Sequence, residues 1–109
     1  VAQRDYILGN NQWGISFIYN IGTTFSANFH SQVAYFNGNR LPGAVAAGSI
    51  SHAKLVQYNI PYENPDAYSE FQTEDAVYRD DRMDYITNEP TITANATAVF
   101  VMAYYATTH

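Results

Sequence analysis

Residues 97–105 read Thr-Ala-Val-Phe-Val-Met-Ala-Tyr-Tyr, and the way this stretch is read decides the fold. Its apolar core, Ala98 to Ala106, is nine residues long, far short of the roughly 20 needed to span a bilayer. It is apolar at every step, with no period of two and no polar face. That is the pattern expected of a strand buried on both sides, so residues 97–105 are read as the central strand of a sheet.

Working outward, Trp13, Ile15, Phe17, Tyr19 and Ile21 alternate with Gly14, Ser16, Ile18 and Asn20, a period-two pattern over nine residues. Phe25, Ala27 and Phe29 repeat it, and Gln32 to Phe36 continues as a third run ending in Asn37-Gly38-Asn39, a hairpin signal. Lys54 to Ile60 reads as a further strand closed by Pro61, while residues 42–51 are small and weakly patterned. All six glycines precede residue 49, which suits tight turns in the first half. About seven short strands give an all-β fold, an antiparallel β-sandwich (Ig-like or jelly-roll-like) or a small barrel, in one domain over residues 1–109. Its expected core is Ile15, Phe17, Tyr19, Phe25, Phe29, Val56, Phe100 and Met102. At most one short helix is expected, in the acidic segment, where Asn64-Pro65-Asp66 resembles a helix start.

That acidic segment is the chain's sharpest compositional feature. Nine of its ten carboxylates lie between Glu63 and Glu89, against only Arg79 and Arg82, in a chain of net charge −5. With Tyr62, Tyr68, Tyr78 and Tyr85 they make an acidic, tyrosine-rich lobe over about residues 61–90. Runs of like charge are usually a solvated face. Elsewhere charge is sparse, 14% overall, and aromatic residues reach 16%. With one lysine and four arginines there is no basic surface to neutralise phosphates, so a nucleic-acid partner is excluded, and the lobe would be repelled by an anionic membrane. There is no cysteine, hence no disulfide or thiolate chemistry. A chain of 12.2 kDa buries about two thirds of its surface on folding, enough for a core without staples. The first residue, Val1, suggests a removed leader or a trimmed chain. With the sequon Asn95-Ala96-Thr97, a glycosylation acceptor, it points to a secreted protein.

Candidate chemistry centres on the lobe. Sugars present apolar C–H faces and rings of hydroxyls, so tyrosines beside amides, carboxylates and arginine suit their recognition. Tyr62, Asn64, Asp66 and Tyr68, with Arg79 and Asp81 from the neighbouring segment, form the expected ligand-binding set. Glu74, Asp80, Asp81 and Asp84 are the natural ligands for a calcium ion, although no glycine-bearing calcium loop is present and the arginines compete for the same oxygens. His30, His52 and His109 show no metal-ligand spacing, and recognition is expected on the tyrosines rather than on them. Glycoside hydrolysis would need two suitably spaced carboxylates in a cleft, and among nine crowded acids no pair can be assigned. No nucleophile elbow or phosphate-binding loop appears, and no resident cofactor is implied. The leading expectation is therefore a non-enzymatic, lectin-like module that binds a glycan or cell-surface ligand. The alternative is a self-assembling homo-oligomeric subunit of a coat, fibre or scaffold, packed through residues 42–51 (PGAVAAGSIS); a small secreted hydrolase, toxin or inhibitor ranks below both.

Overall fold

A computed structural model describes residues 2–108 and overturns the β-sandwich. Among the described residues there are four α-helices: α1 (Ala2–Ile7), α2 (Gln32–Phe36), α3 (His52–Val56) and α4 (Ile92–Thr108), with a 3-10 turn at Ser69–Phe71. No β-strand forms among them; pairing is confined to isolated bridges at Ser16–Phe25, Ile18–Val45 and Ile50–Val77.

The stretch expected to be the central strand lies inside the 17-residue α4. An apolar run without a period does not separate buried strand from helix, and the start signal sits just upstream. Thr91, directly after Pro90, caps the helix: its hydroxyl accepts from the Ala94 amide at 3.0 Å. Ala94, Ala96, Ala98, Ala103 and Ala106 supply strong helix formers, and the Thr97 hydroxyl is absorbed by the Thr93 carbonyl at 2.9 Å. Ala98 is buried, but Phe100 is 73% exposed and Ile92 90% exposed, so Phe100 is not core. Asn95 sits in this helix, donating its Nδ2 to the Gly43 carbonyl and accepting from the Val45 amide.

The hairpin signal at Asn37-Gly38-Asn39 marks a helix end instead. Ser31 caps α2 by accepting from the Ala34 amide, and the chain then closes through Gly38 and Asn39 at φ 64° and 62°, with the Asn39 amide donating to the Ala34 carbonyl. Left-handed conformers serve hairpins and helix C-termini alike, so the same residues announce both. Lys54 to Ile60 fails as a strand for the same reason: α3 occupies its first half, and Asn59, at φ 50°, ends the turn that follows. Val56 is accordingly exposed.

The alternation at 13–17 does report burial. Trp13, Ile15 and Phe17 are all buried, joined in the core by Phe29, Ala34, Ala44, Ala46 and Tyr78. Tyr19 and Phe25 are half-buried, their rings edge-on at 5.1 Å. This extended segment is a hub rather than a ladder strand: its amides and carbonyls reach Ile7, Thr24, Ala44 and Ala46 one at a time. The small-residue run at 42–51 is spent here too, since Ala44, Val45 and Ala46 are buried against the chain's own core rather than held out for a second copy.

Candidate functional site

The lobe's acids are mostly not a solvated face. A chain with little regular structure leaves many backbone N–H groups to satisfy, and short carboxylates satisfy them here. Asp81 accepts from the amides of Glu63, Asn64 and Met83. Asp84, fully buried, accepts from the Ile86 and Thr87 amides and from the Thr87 and Tyr62 hydroxyls. Asp80 accepts from the amides of Ala27 and Asn28 and from the side chains of Asn28 and Asn88, tying the lobe to the body. Gln72 ties it a second time, accepting from Trp13 Nε1 at 2.9 Å and donating to the Tyr78 carbonyl at 2.6 Å. Crowding thus reflects structural demand. Of the weighed calcium ligands, Asp80, Asp81 and Asp84 are each occupied by such donors, and Glu74 stands apart and exposed near His52. Among the described residues no group of three or more His, Asp or Glu could hold a metal ion.

The expected ligand-binding residues do converge. The Arg79 guanidinium lies 3.8 Å from the Tyr62 ring centre, donates to the Asn64 carbonyl at 2.8 Å and stands 3.9 Å from Asp66. Asp66 accepts from the Tyr68 amide, and Asp81 from that of Asn64. Tyr68 is half-buried against the core. Tyr62, Asp66 and Arg79 line an open cleft of about 410 Å³, whose other walls come from α3 and from residues 59–77. Asn64, Tyr68 and Asp81 do not line it.

A second group of polar side chains forms around His30. Its Nδ1 lies 2.8 Å from the Arg82 carbonyl; a carbonyl only accepts, so Nδ1 carries a hydrogen, and in the neutral ring Nε2 is left as an acceptor. The His30 ring stands 5.9 Å from Tyr85, and Tyr85 stands 6.1 Å edge-on from Tyr58. Arg82 bonds Glu63 and lies over the Tyr35 ring at 4.4 Å, and the Glu63 bond strengthens its hold on its proton. The His30 amide donates to the Asn88 carbonyl at 3.1 Å, and Glu89 is the next residue of the chain after Asn88. Glu89 is half-buried, and among the described residues no hydrogen bond or ion pair engages its carboxylate. Sequence reading counted Glu89 only among the crowded acids and set His30 aside from recognition; His109 lies outside the described residues. The only available signal for Glu89 was its rigid setting, between Asn88 and Pro90.

Three phenols are held above the ordinary value of about 10. Burial raises Tyr78 well above it, with Asp80 adding to the shift. Burial and then the Asp84 carboxylate raise Tyr62, and burial and Asp80 raise Tyr68. A phenol gains charge on losing its proton, so the folded state holds these protons more tightly than the unfolded state does. Their contribution to stability is fully present below about pH 10 and is lost as pH rises through the folded values. Melting temperature should therefore fall between about pH 9 and pH 11, with the tyrosinate absorbance of these three phenols appearing only as the fold melts. Ionisation of all ten tyrosines ahead of unfolding would contradict this.

The family model for glycosyl hydrolase family 9 matches residues 1–102, and the chain belongs to that family. It is 33% identical over 113 aligned residues to endoglucanase 23 of Oryza sativa subsp. japonica, an alignment covering 94% of this chain and 20% of that protein. The chain thus spans about one fifth of the length of the curated relative it matches. No solved structure gives a significant match. Membership of a hydrolase family corrects the expectation of a non-enzymatic, lectin-like module, and with it the self-assembling alternative; the hydrolase ranked below both is the class that the family supports. No helix among the described residues is long and apolar enough to cross a membrane.

Proposed function

We propose that this chain forms the acid-bearing wall of a glucan-hydrolysing site, with Glu89 as the general acid. The observation that carries the assignment is the freedom of that carboxylate. An acid catalyst must hold a proton before it gives one up, and hydrogen bonds from N–H groups favour the ionised form. Asp80, Asp81 and Asp84 are committed to such donors. Glu63 is bound to Arg82, and Asp66 to the Tyr68 amide and Gln72. Glu70, Glu74 and Asp75 are exposed. Glu89 alone is both partly buried and unengaged among the described residues of the lobe.

In this reading Glu89 protonates the bridging oxygen of a glycosidic bond. The C–O bond breaks, and the leaving sugar departs as an alcohol carrying that proton. The positive charge left on the sugar carbon is met by a second carboxylate, acting as nucleophile or as the base for a water molecule. The lobe's remaining partly buried acids are occupied, so we assign that second carboxylate to a region equivalent to the unmatched four fifths of the rice relative. His30 Nε2 would accept from a sugar hydroxyl, and the Tyr85 ring offers an apolar face to the C–H side of the ring. The relative's designation as an endoglucanase supports an internal bond of a glucan as the target. Titrating the isotope-labelled chain with cellohexaose tests the reading. Saturable shifts of the His30, Tyr85 and Glu89 amides are expected, and their absence up to millimolar sugar would overturn it.

A further inference from the structure

The cleft lined by Tyr62, Asp66 and Arg79 is a separate place from the His30 group, and its polar atoms divide into two kinds. Those named by the sequence are spent: Asp66 accepts from the Tyr68 amide and Gln72, the Tyr62 hydroxyl donates to Asp84, and one arm of Arg79 donates to Asn64. Gln72 is likewise saturated, between Trp13, Tyr78 and Asp66. They make a rigid wall. Three other polar side chains line the same cleft with no hydrogen bond among the described residues closing them off: Asn59, Ser69 and His52, the last only loosely near Glu74 at 3.8 Å. Leu55, Ile60 and Val77 supply an apolar side. A volume of about 410 Å³ lies within the usual range for small-molecule sites.

We infer that this cleft is a second saccharide-binding subsite, holding one sugar ring of a glucan whose scissile bond lies at Glu89. The inference rests on the glucan-hydrolase reading and deepens it. A pyranose has an apolar C–H face and a rim of hydroxyls that both donate and accept. The cleft matches it with an aliphatic side and with an amide, a hydroxyl, an imidazole and the remaining guanidinium N–H groups. None of these is a lone strong charge, which suits a neutral ligand rather than an ionic one. The geometry also provides a path between the two places. The rings of His30, Tyr85 and Tyr58 follow one another at 5.9 and 6.1 Å, Tyr58 and Tyr85 are both exposed, and Asn59 of the cleft comes directly after Tyr58. A polymeric sugar lying along these rings would reach from the reacting bond into the cleft. Binding energy collected there, away from the chemistry, would position the chain at Glu89.

The test is the cellohexaose titration with the amides of Asn59 and Ser69 followed beside those of His30, Tyr85 and Glu89. All are expected to shift along one saturation curve. The double variant His52→Ala, Ser69→Ala changes two exposed side chains, so its melting temperature should be unchanged while cellohexaose binds about tenfold more weakly. Tyr58→Ala should weaken binding in the same direction. Saturation at His30 and Glu89 with no shift in the cleft, or with an unchanged affinity in the double variant, would overturn this inference and leave the hydrolase reading standing. Saturation in the cleft alone would keep the cleft and remove Glu89 from the site. No saturation anywhere would overturn both.

Discussion

Glu89→Gln is expected to lower kcat towards a glucan by about 10²- to 10⁴-fold, measured in the polypeptide that carries this chain, with little change in KM. Glutamine keeps the shape of the side chain and cannot give up a proton. Among the described residues no hydrogen bond uses the carboxylate, so the melting temperature should not move. A purely structural role would show the opposite pattern, a lower melting temperature with activity lost only in proportion to unfolded protein. The leaving group supplies a sharper discrimination. An aryl glycoside whose phenol departs readily needs less protonation, so its hydrolysis should suffer much less from Glu89→Gln than that of a glucan. Equal losses on both substrates would mean that Glu89 does not protonate the leaving oxygen. Replacing Asp80 by asparagine is a useful contrast, since it disturbs the bonds to Ala27 and Asn28 and should cost stability as well as activity.

How much of this was legible beforehand differs by residue, and the reasons are physical. Alternation at Trp13, Ile15 and Phe17 located the core correctly, because an extended chain points alternate side chains inward whether or not it joins a sheet. It could not show that the partners along this segment are single contacts from scattered loops. The run at 97–105 misled because period, its only diagnostic, is absent; the Thr91 cap and the alanine content were the better signals. Asn37-Gly38-Asn39 correctly announced positive φ, but not which structure would use it. In the lobe, Tyr62, Asn64, Asp66, Tyr68, Arg79 and Asp81 do gather, since short-range acids, amides and an arginine in an irregular chain find one another. Their gathering is also what consumes their hydrogen-bonding capacity. Glu89 was hidden for the converse reason: the acid proposed here is marked by the bonds it does not make, and composition carries no trace of that.

Asp84→Ala is expected to destabilise the fold by about 3–5 kcal/mol. Asp84 is fully buried, and its two oxygens receive four donors: the Ile86 and Thr87 amides, the Thr87 hydroxyl and the Tyr62 hydroxyl at 3.0 Å. Truncation strands all four at once, and each buried unpaired donor costs about 1–3 kcal/mol, less whatever entering water recovers. Against a total stability of about 5–15 kcal/mol, the loss should be plain in urea melts. Asp84→Asn should cost markedly less. Its oxygen can keep the two amides, and its new Nδ2 would face the Thr87 and Tyr62 hydroxyls, which can accept as well as donate. A loss below about 1 kcal/mol for the alanine variant would mean that solvent reaches these donors freely. The turn that Asp84 holds runs straight into Asn88 and Glu89, and Asn88 carries the carbonyl bonded to His30. On the proposed role of Glu89, activity should therefore fall in the alanine variant even at temperatures where it stays folded, and return in the asparagine variant, because the segment that ties Asn88 to His30 keeps its place only while that turn is fixed.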